Sequence, residues 1–194
     1  MAFTLAAPCE YREEIRKSRF IALAAPADSP QAAQAFIAAH SDRAASHNCW
    51  AWKCGAQYRF SDDGEPGGTA GRPILAAIEG QDCDQVAVLV IRWYGGIQLG
   101  TGGLARAYGG SAAKCLQGGE RVALVARLQA SCHVPFAELA RIRARLAEWQ
   151  VSIEGEAFDA TGALLQLALP AGQLEAVSRQ LADLSRGQIV LAAD

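Results

Sequence analysis

Two glycine-rich segments hold most of the residues in this sequence that could bind a ligand. One of them, residues 95–103, lies between an apolar run and a helix-like run. Its small residues are Gly95, Gly96, Gly100, Thr101, Gly102 and Gly103. Glycine permits positive φ and the close approach of a partner, and the first turn of a following helix offers unpaired N–H groups. Such a loop can bind an anion, and Arg92 and Arg106 could add positive charge. The alternative is a tight strand-to-helix connection, because the segment completes neither GxGxxG nor the GxxxxGK[ST] phosphate loop.

The other glycine-rich segment, residues 60–75, contains the acidic residues Asp62, Asp63 and Glu65. Clustered carboxylates can hold a hard cation or transfer protons, but this spacing lacks the EF-hand calcium loop and its terminal glutamate. Aspartate and glycine at the end of a strand, with Thr69 available to cap a helix, are also what an ordinary turn requires. We favour the turn, and we predict no bound metal and no cofactor.

A third polar group contains His47, Cys49 and Cys54. On a strand, His47 and Cys49 point to the same face, where they could form a nucleophile with its base or part of a zinc site. A zinc site needs a further ligand at recognisable spacing, and the sequence offers none. We expect a buried Cys49 packed beside a hydrogen-bonded His47, since a free cysteine is usually a core residue. The six cysteines have no CxxC spacing and are expected to be reduced thiols.

The elements that position these residues follow from apolar periodicity and from turn residues. Ser29 and Pro30 provide the cap and the first turn of an alanine-rich helix. The apolar run 86–91 predicts a central strand that is covered on both faces. The predicted strands of this part of the chain are 11–15, 19–24, 49–54, 57–60 and 86–93. The predicted helices are 30–40, 69–78 and 104–116.

The last third of the chain has clearer patterns. Alternating apolar residues predict a strand over 124–134, and a stripe from Phe136 to Trp149 predicts a helix. Residues 151–158 and 164–169 form a hairpin around Asp159 to Gly162. A helix with Leu174, Val177, Leu181 and Leu184 on one face follows, and residues 189–191 form a last strand. This βαββαβ order is typical of a ferredoxin-like unit.

Composition and charge limit the classes of function. The chain has 194 residues, of which 51% are hydrophobic, and no apolar run approaches the ~20 residues that cross a bilayer. We therefore expect a cytoplasmic protein with no membrane partner. The net charge of −2 and a pI near 5.9 require any nucleic-acid site to be a local basic patch.

Four segments together resemble the IMPACT/YigZ family: RKSRFIA at 16–22, HNCWAW at 47–52, FSDDGEPGGTAGRPIL at 60–75 and RWYGGIQLGTGGLARAY at 92–108. The resemblance covers most of residues 10–117. It implies an α+β protein whose residues 1–122 are similar to ribosomal protein S5 domain 2. Residues 123–194 would be a ferredoxin-like domain similar to domain V of elongation factor G. Two residues depart from the family pattern, Gln98 in place of lysine and Gly67 in place of serine.

The resemblance implies a non-enzymatic regulator of translation that binds RNA, the ribosome or a translation factor. The glycine segment would receive a phosphate or carboxylate, and Arg19, Arg92 and Arg106 would supply charge. The alternative is a metal-dependent hydrolase or phosphotransfer enzyme. In that enzyme a divalent cation would be held by Asp62, Asp63 and Glu65, and His47 would be the general base.

Overall fold

The computed structural model describes residues 1–193, and the chain divides into two units, Met1–Leu124 and Val125–Asp194. The strands of the first unit are β1 Phe3–Leu5, β2 Cys9–Ile15, β3 Ser18–Pro26, β4 His47–Cys54, β5 Gln57–Ser61, β6 Val86–Trp93 and β7 Arg121–Ala123. Its helices are α1 Pro30–His40, α2 Gly71–Gly80 and α3 Gly100–Gly118. Within the described residues, every helix is too short or too polar to cross a membrane.

The first unit is built on a five-stranded sheet in the order β2-β3-β6-β4-β5. All four neighbouring pairs are antiparallel. Alternate residues of β6 face two different cores: Val88 and Val90 pack with α2 and α3, while Leu89 and Ile91 pack with α1. The prediction of a central strand covered on both faces is therefore confirmed.

Two features of the first unit differ from the sequence prediction. A small sheet pairs β1 with β7, joining Phe3 to Ala123, and strands of three residues leave too short a pattern to recognise. Helix α2 begins at Gly71, between the predicted start at 69 and Pro73, where proline places the first turn. Helix α3 begins at Gly100, so the predicted start at 104 is wrong. Glycine disfavours helix, but the burial of Leu104 and Tyr108 in the core extends α3 back through its glycines.

The second unit has the predicted βαββαβ order. Its elements are β8 Arg127–Pro135, α4 Phe136–Glu148, β9 Ser152–Phe158, β10 Gly162–Pro170, a 3₁₀ turn Ala171–Gln173, α5 Leu174–Ser185 and β11 Ala192–Ala193. The sheet order is β11-β8-β10-β9. The predicted last strand at 189–191 is wrong, because Ile189 is buried in the core and the pairing with β8 begins only at Ala192. The mixed α+β class holds for both units.

The start of α1 provides a stability prediction. The Oγ of Ser29 accepts a hydrogen bond from the Ala32 N–H at 3.2 Å. Replacing Ser29 with alanine removes the acceptor, and the free energy of unfolding should fall by about 1 kcal/mol in urea denaturation. Ser29→Asp is the matched control because aspartate keeps a capping oxygen. Equal stability of the two variants would contradict a capping role.

Candidate functional site

The motif residues of the first unit meet at one end of the sheet. Since the neighbours of β6 run antiparallel to it, the starts of β3 and β4 lie beside its end. The register pairs Arg92 with both Phe20 and His47. A cleft of about 460 Å³ opens there, and its lining includes His47, Glu65, Arg92, Tyr94, Gln98 and Thr101. This space is called the cleft below.

A buried ion pair lies under the cleft. Arg92 Nη1 donates to Glu65 Oε1 at 2.6 Å, and the Tyr108 hydroxyl donates to the same oxygen at 2.6 Å. The side chains of Arg92 and Glu65 are only 5% and 4% exposed. Burial, followed by the charges and hydrogen bonds of Cys49 and Glu65, raises the pKa of Tyr108. The phenol therefore stays protonated and remains a donor to Glu65.

The remaining contacts of Arg92 fix the plane of its guanidinium. Nε and Nη2 both donate to Ser18 Oγ, at 3.3 and 3.2 Å. The rings of Phe20 and Tyr94 lie 5.8 and 5.4 Å from Cζ. The residues Ser18, Glu65, Arg92 and Tyr108 are called the buried polar network below. Because Glu65 balances the charge of Arg92, what Arg92 can offer an anion is its N–H donors, and its role in anion binding stays a prediction.

His47 lies at the wall of the cleft. Its Nδ1 is 2.8 Å from the carbonyl oxygen of Asp63. A carbonyl only accepts, so Nδ1 carries a proton in this geometry. The other ring nitrogen, Nε2, lies 3.7 Å from Glu65 Oε1, beyond hydrogen-bonding distance. The imidazole is therefore oriented by the backbone and keeps Nε2 free.

Cys49 is a core residue, as expected from the sequence. It is fully buried, and its Sγ donates to the carbonyl of Asp62 at 3.0 Å. Burial raises the pKa of the Cys49 thiol to about 12. Since the thiolate is the reactive form, Cys49 is a poor nucleophile at neutral pH.

Asp62 organises the acidic turn. Its carboxylate accepts hydrogen bonds from the backbone N–H groups of Gly68, Ala70 and Gly71, at 2.8, 3.1 and 2.8 Å. Burial opposes ionisation, but the hydrogen bonds from Gly68, Gly71 and Ala70 hold the pKa of Asp62 below its ordinary value. The role of this carboxylate is to fix the entry into α2.

The other two carboxylates of the acidic segment, Asp63 and Glu65, have contacts that differ from those of Asp62. Asp63 Oδ2 accepts from the Asn48 N–H at 2.5 Å, and Glu65 belongs to the buried polar network. Across residues 1–193, no three His, Cys, Asp or Glu side chains are placed to hold a metal ion together. The arrangement therefore does not fit the divalent cation of the hydrolase alternative, in which Asp62, Asp63 and Glu65 would converge.

The glycines of residues 95–103 are required for different structural reasons. A Cβ on Gly95 would lie 2.6 Å from Ser18 N, so Gly95 is needed for close packing. Gly96 and Gly100 have φ of +86° and +72°, which glycine adopts without strain. The first turn of α3, from Gly100, has neither a side-chain cap nor an acidic residue. Within residues 1–193, its N–H groups are therefore without a side-chain acceptor.

Exposed cations surround this turn. Arg16 Nη1 lies 3.5 Å from the carbonyl oxygen of Gln98, and a cavity of about 250 Å³ lies between Arg16, Arg106 and Lys114. The charge of Lys114 is matched by Glu13 at 2.8 Å. Arg19 stacks on Trp93 with Cζ 4.1 Å from the ring centroid. Arg16 and Arg106 are thus the cations beside the start of α3.

Sequence reasoning missed several of these residues. Ser18 and Tyr108 were not singled out, although both are fully buried and hold the ion pair. Arg16 was part of a quoted motif but was not assigned a role. One local signal indicates such a network: Arg92 ends an apolar strand, and an arginine that is buried there needs polar partners.

Comparison with known proteins agrees with these motifs. The Impact N-terminal domain matches residues 16–116, and a domain of unknown function (DUF1949) matches residues 132–188. A solved structure described as that of a hypothetical protein superposes with a TM-score of 0.78 at 40% identity, covering 100% of this chain and 97% of the other.

Two curated relatives are similar over nearly their whole length. The Thermus thermophilus protein named IMPACT family member in pol 5′region is 45% identical over 176 residues, covering 90% of this chain and 97% of the relative. IMPACT family member YigZ of Escherichia coli strain K12 is 41% identical over 197 residues, covering 97% and 95%. With both domains matched and these relatives aligned along the chain, the protein belongs to the IMPACT family.

Proposed function

We propose that this protein acts in the cytoplasm as a non-enzymatic RNA-binding protein with a role in translation. The start of α3 and the arginines beside it would receive phosphates of the RNA backbone. The observation that carries the proposal is the uncapped first turn of α3, which has Arg16 and Arg106 beside it and no acidic residue within it. The ribosome is the natural source of such RNA, and a translation factor is the alternative partner.

The electrostatics of the turn support an anionic partner. The N-terminus of a helix carries a partial positive charge, and cations placed there are unfavourable. The Arg106 guanidinium nevertheless lies beside Gly102, with Nη1 3.5 Å from the position of an added Cβ. A bound phosphate would satisfy the free N–H groups and balance the arginines together.

The exposure of the first turn of α3 also allows a phosphate to approach its backbone closely. Gly100, Thr101 and Gly102 are exposed, and two of the three lack a side chain. A phosphate can therefore reach the backbone N–H groups directly. Because the whole chain carries a net charge of −2, binding must rest on this local patch.

Fold analogy supports the same class of partner. We propose that the first unit is similar to ribosomal protein S5 domain 2 and the second to domain V of elongation factor G, as the family resemblance implies. Both of those domains work on RNA or the ribosome. Analogy of fold is weaker support than the site itself, because different functions share one fold.

The proposal predicts a salt-dependent affinity for structured RNA. Each phosphate contact releases counterions, so replacing Arg106 with alanine should weaken binding and reduce the slope of log K against log salt by about 1. Fluorescence anisotropy over a salt series measures both quantities. Arg59→Ala is the matched control. Arg59 is exposed on β5, the edge strand opposite β2, whereas α3, which carries Arg106, packs against β2 and β3.

Two results would argue against this site. One is an affinity for RNA that does not change with salt. The other is an equal loss of affinity in the Arg106 and Arg59 variants, which would mean that charge acts from anywhere on the surface. Retention of a translation factor from RNase-treated lysate, without RNA, would point to the alternative partner.

A further inference from the structure

The guanidinium of Arg92 has hydrogen-bonding capacity that the protein does not use. Arginine has five N–H donors. In the described residues, Nε–H and one N–H of Nη2 are bonded to Ser18, and one N–H of Nη1 is bonded to Glu65. One N–H on each Nη is left without a protein acceptor, on a side chain that is only 5% exposed. Each Arg92 nitrogen thus has one protein partner, and the two spare N–H groups belong to a side chain that lines the cleft.

Other polar groups of the cleft are also unused. His47 Nε2 has no hydrogen bond to protein in residues 1–193, because its nearest acidic oxygen is at 3.7 Å. The side chains of Gln98 and Thr101 line the same space, and both residues are exposed. Polar groups from β6, β4 and the start of α3 therefore surround one volume of about 460 Å³. With Nδ1 protonated, His47 Nε2 donates to a phosphate when the ring carries its second proton.

We propose that the cleft binds the terminal phosphate of a phosphomonoester. The unused donors come from different elements, Arg92 from β6 and Gln98 and Thr101 from the start of α3, which suits a tetrahedral group with three terminal oxygens better than a planar carboxylate. The monoester has three terminal oxygens where an RNA backbone diester has two, and it carries up to about one more unit of negative charge at neutral pH. This inference deepens the proposed RNA-binding function and rests on it only for the nature of the molecule that carries the phosphate.

The shape of the cleft indicates a nucleotide. Its volume is larger than a phosphate group needs and lies in the range of small-molecule sites. Tyr94 lines it and is 50% exposed, so one part of its ring is open to a base or sugar. Aromatic rings bind unpaired bases by stacking. Free 5′-nucleotides and the 5′-phosphorylated end of an RNA share this chemistry.

Histidine NMR tests the site directly on the full chain. The protein has only three histidines, and His47→Gln identifies the resonance of His47. Inorganic phosphate and adenosine 5′-monophosphate should shift that resonance with saturation, whereas adenosine should not. His133, in the second unit, should stay unchanged. No shift of His47 with either phosphate probe, or an equal shift with adenosine, would overturn the proposal.

Variants at the lip of the cleft test it without disturbing the buried polar network. Gln98→Glu and Gln98→Lys place opposite charges at one exposed position. The first should weaken the binding of adenosine 5′-monophosphate and the second should strengthen it, each by about three- to tenfold, as for one charged contact. His47→Gln should weaken binding by about tenfold. Unchanged affinity in all three variants would contradict a phosphate in the cleft.

A pair of oligoribonucleotides separates the two sources of the phosphate. The oligomers have one sequence and differ only in a 5′-phosphate or a 5′-hydroxyl. If an RNA end is the ligand, the phosphorylated oligomer binds more tightly, and His47→Gln removes the preference. If the free nucleotide is the ligand, only adenosine 5′-monophosphate responds to His47→Gln. Arg106→Ala should lower the affinity of both oligomers equally, so failure of the RNA proposal is distinguishable from failure of this one.

Discussion

Replacing Gly95 with alanine is expected to lower the free energy of unfolding by about 3 kcal/mol or more. The added Cβ would lie 2.6 Å from Ser18 N and still closer to the carbonyl group of Lys17. These are backbone atoms, so no rotation of a side chain relieves the overlap. The turn that holds them is itself constrained, with φ of 46° at Arg16 and 64° at Lys17. Urea denaturation followed by tryptophan fluorescence measures the loss.

The matched control for this variant is Gly110→Ala in α3. Apart from its chain neighbours and the backbone of its own helix, no heavy atom of residues 1–193 lies within 4 Å of a Cβ built on Gly110, and alanine reduces the entropy of the unfolded chain. The control should therefore raise the free energy of unfolding by roughly 0.5–1 kcal/mol. A Gly95→Ala protein as stable as the wild type would show that the turn between β2 and β3 yields easily.

Removing one member of the buried ion pair is expected to have the second large effect. Glu65→Leu leaves the Arg92 charge and the Tyr108 hydroxyl without the oxygen that both now contact at 2.6 Å. Breaking a buried pair from one side costs about 3–5 kcal/mol, because a charge is left uncompensated away from water. Arg92→Leu strands the Glu65 carboxylate and should cost a similar amount.

The double variant Glu65→Leu/Arg92→Leu separates the pair from its surroundings. It should be less destabilised than the sum of the single variants by about 1–3 kcal/mol, since neither charge then remains alone. The exposed pair of Arg145 and Glu148, joined at 2.7 Å, is the control and should show a coupling of only about 0.3 kcal/mol. Additive losses at Glu65 and Arg92 would mean that the two side chains stabilise the fold separately.

Much of the fold could be predicted because short stretches of sequence, such as apolar runs, helix caps and turns, indicate its elements. The apolar run of β6, the Ser29-Pro30 start of α1 and the turn between β9 and β10 each lie within a few residues. The pairing of β1 with β7 could not be predicted, since it joins strands of three residues at opposite ends of the first unit. The start of α3 was misplaced because burial of its later residues overrides the low helix propensity of glycine.

The candidate site was predictable in part. The family motifs contain residues that line the cleft, but they do not indicate which side chains are buried. Arg92 contacts Ser18 and Glu65 across 74 and 27 positions of the chain, and Tyr108 contacts Glu65 across 43. Periodicity carries no information over such distances. The carboxylates of the acidic segment also looked alike in sequence, although Asp62 binds backbone N–H groups and Glu65 binds a buried arginine.

The position of the cleft at the end of the central strand has a consequence for how a ligand would meet it. Arg92 belongs to β6, which is paired on both sides, and its guanidinium is bonded to Ser18 and Glu65, so both its backbone and its side chain are held in place. Central strands open in the rarest fluctuations of a protein. The donors are thus rigid before any ligand arrives, and little conformational entropy is lost on binding. A variant that loosens the sheet would weaken binding by depleting the competent state while leaving its intrinsic affinity unchanged.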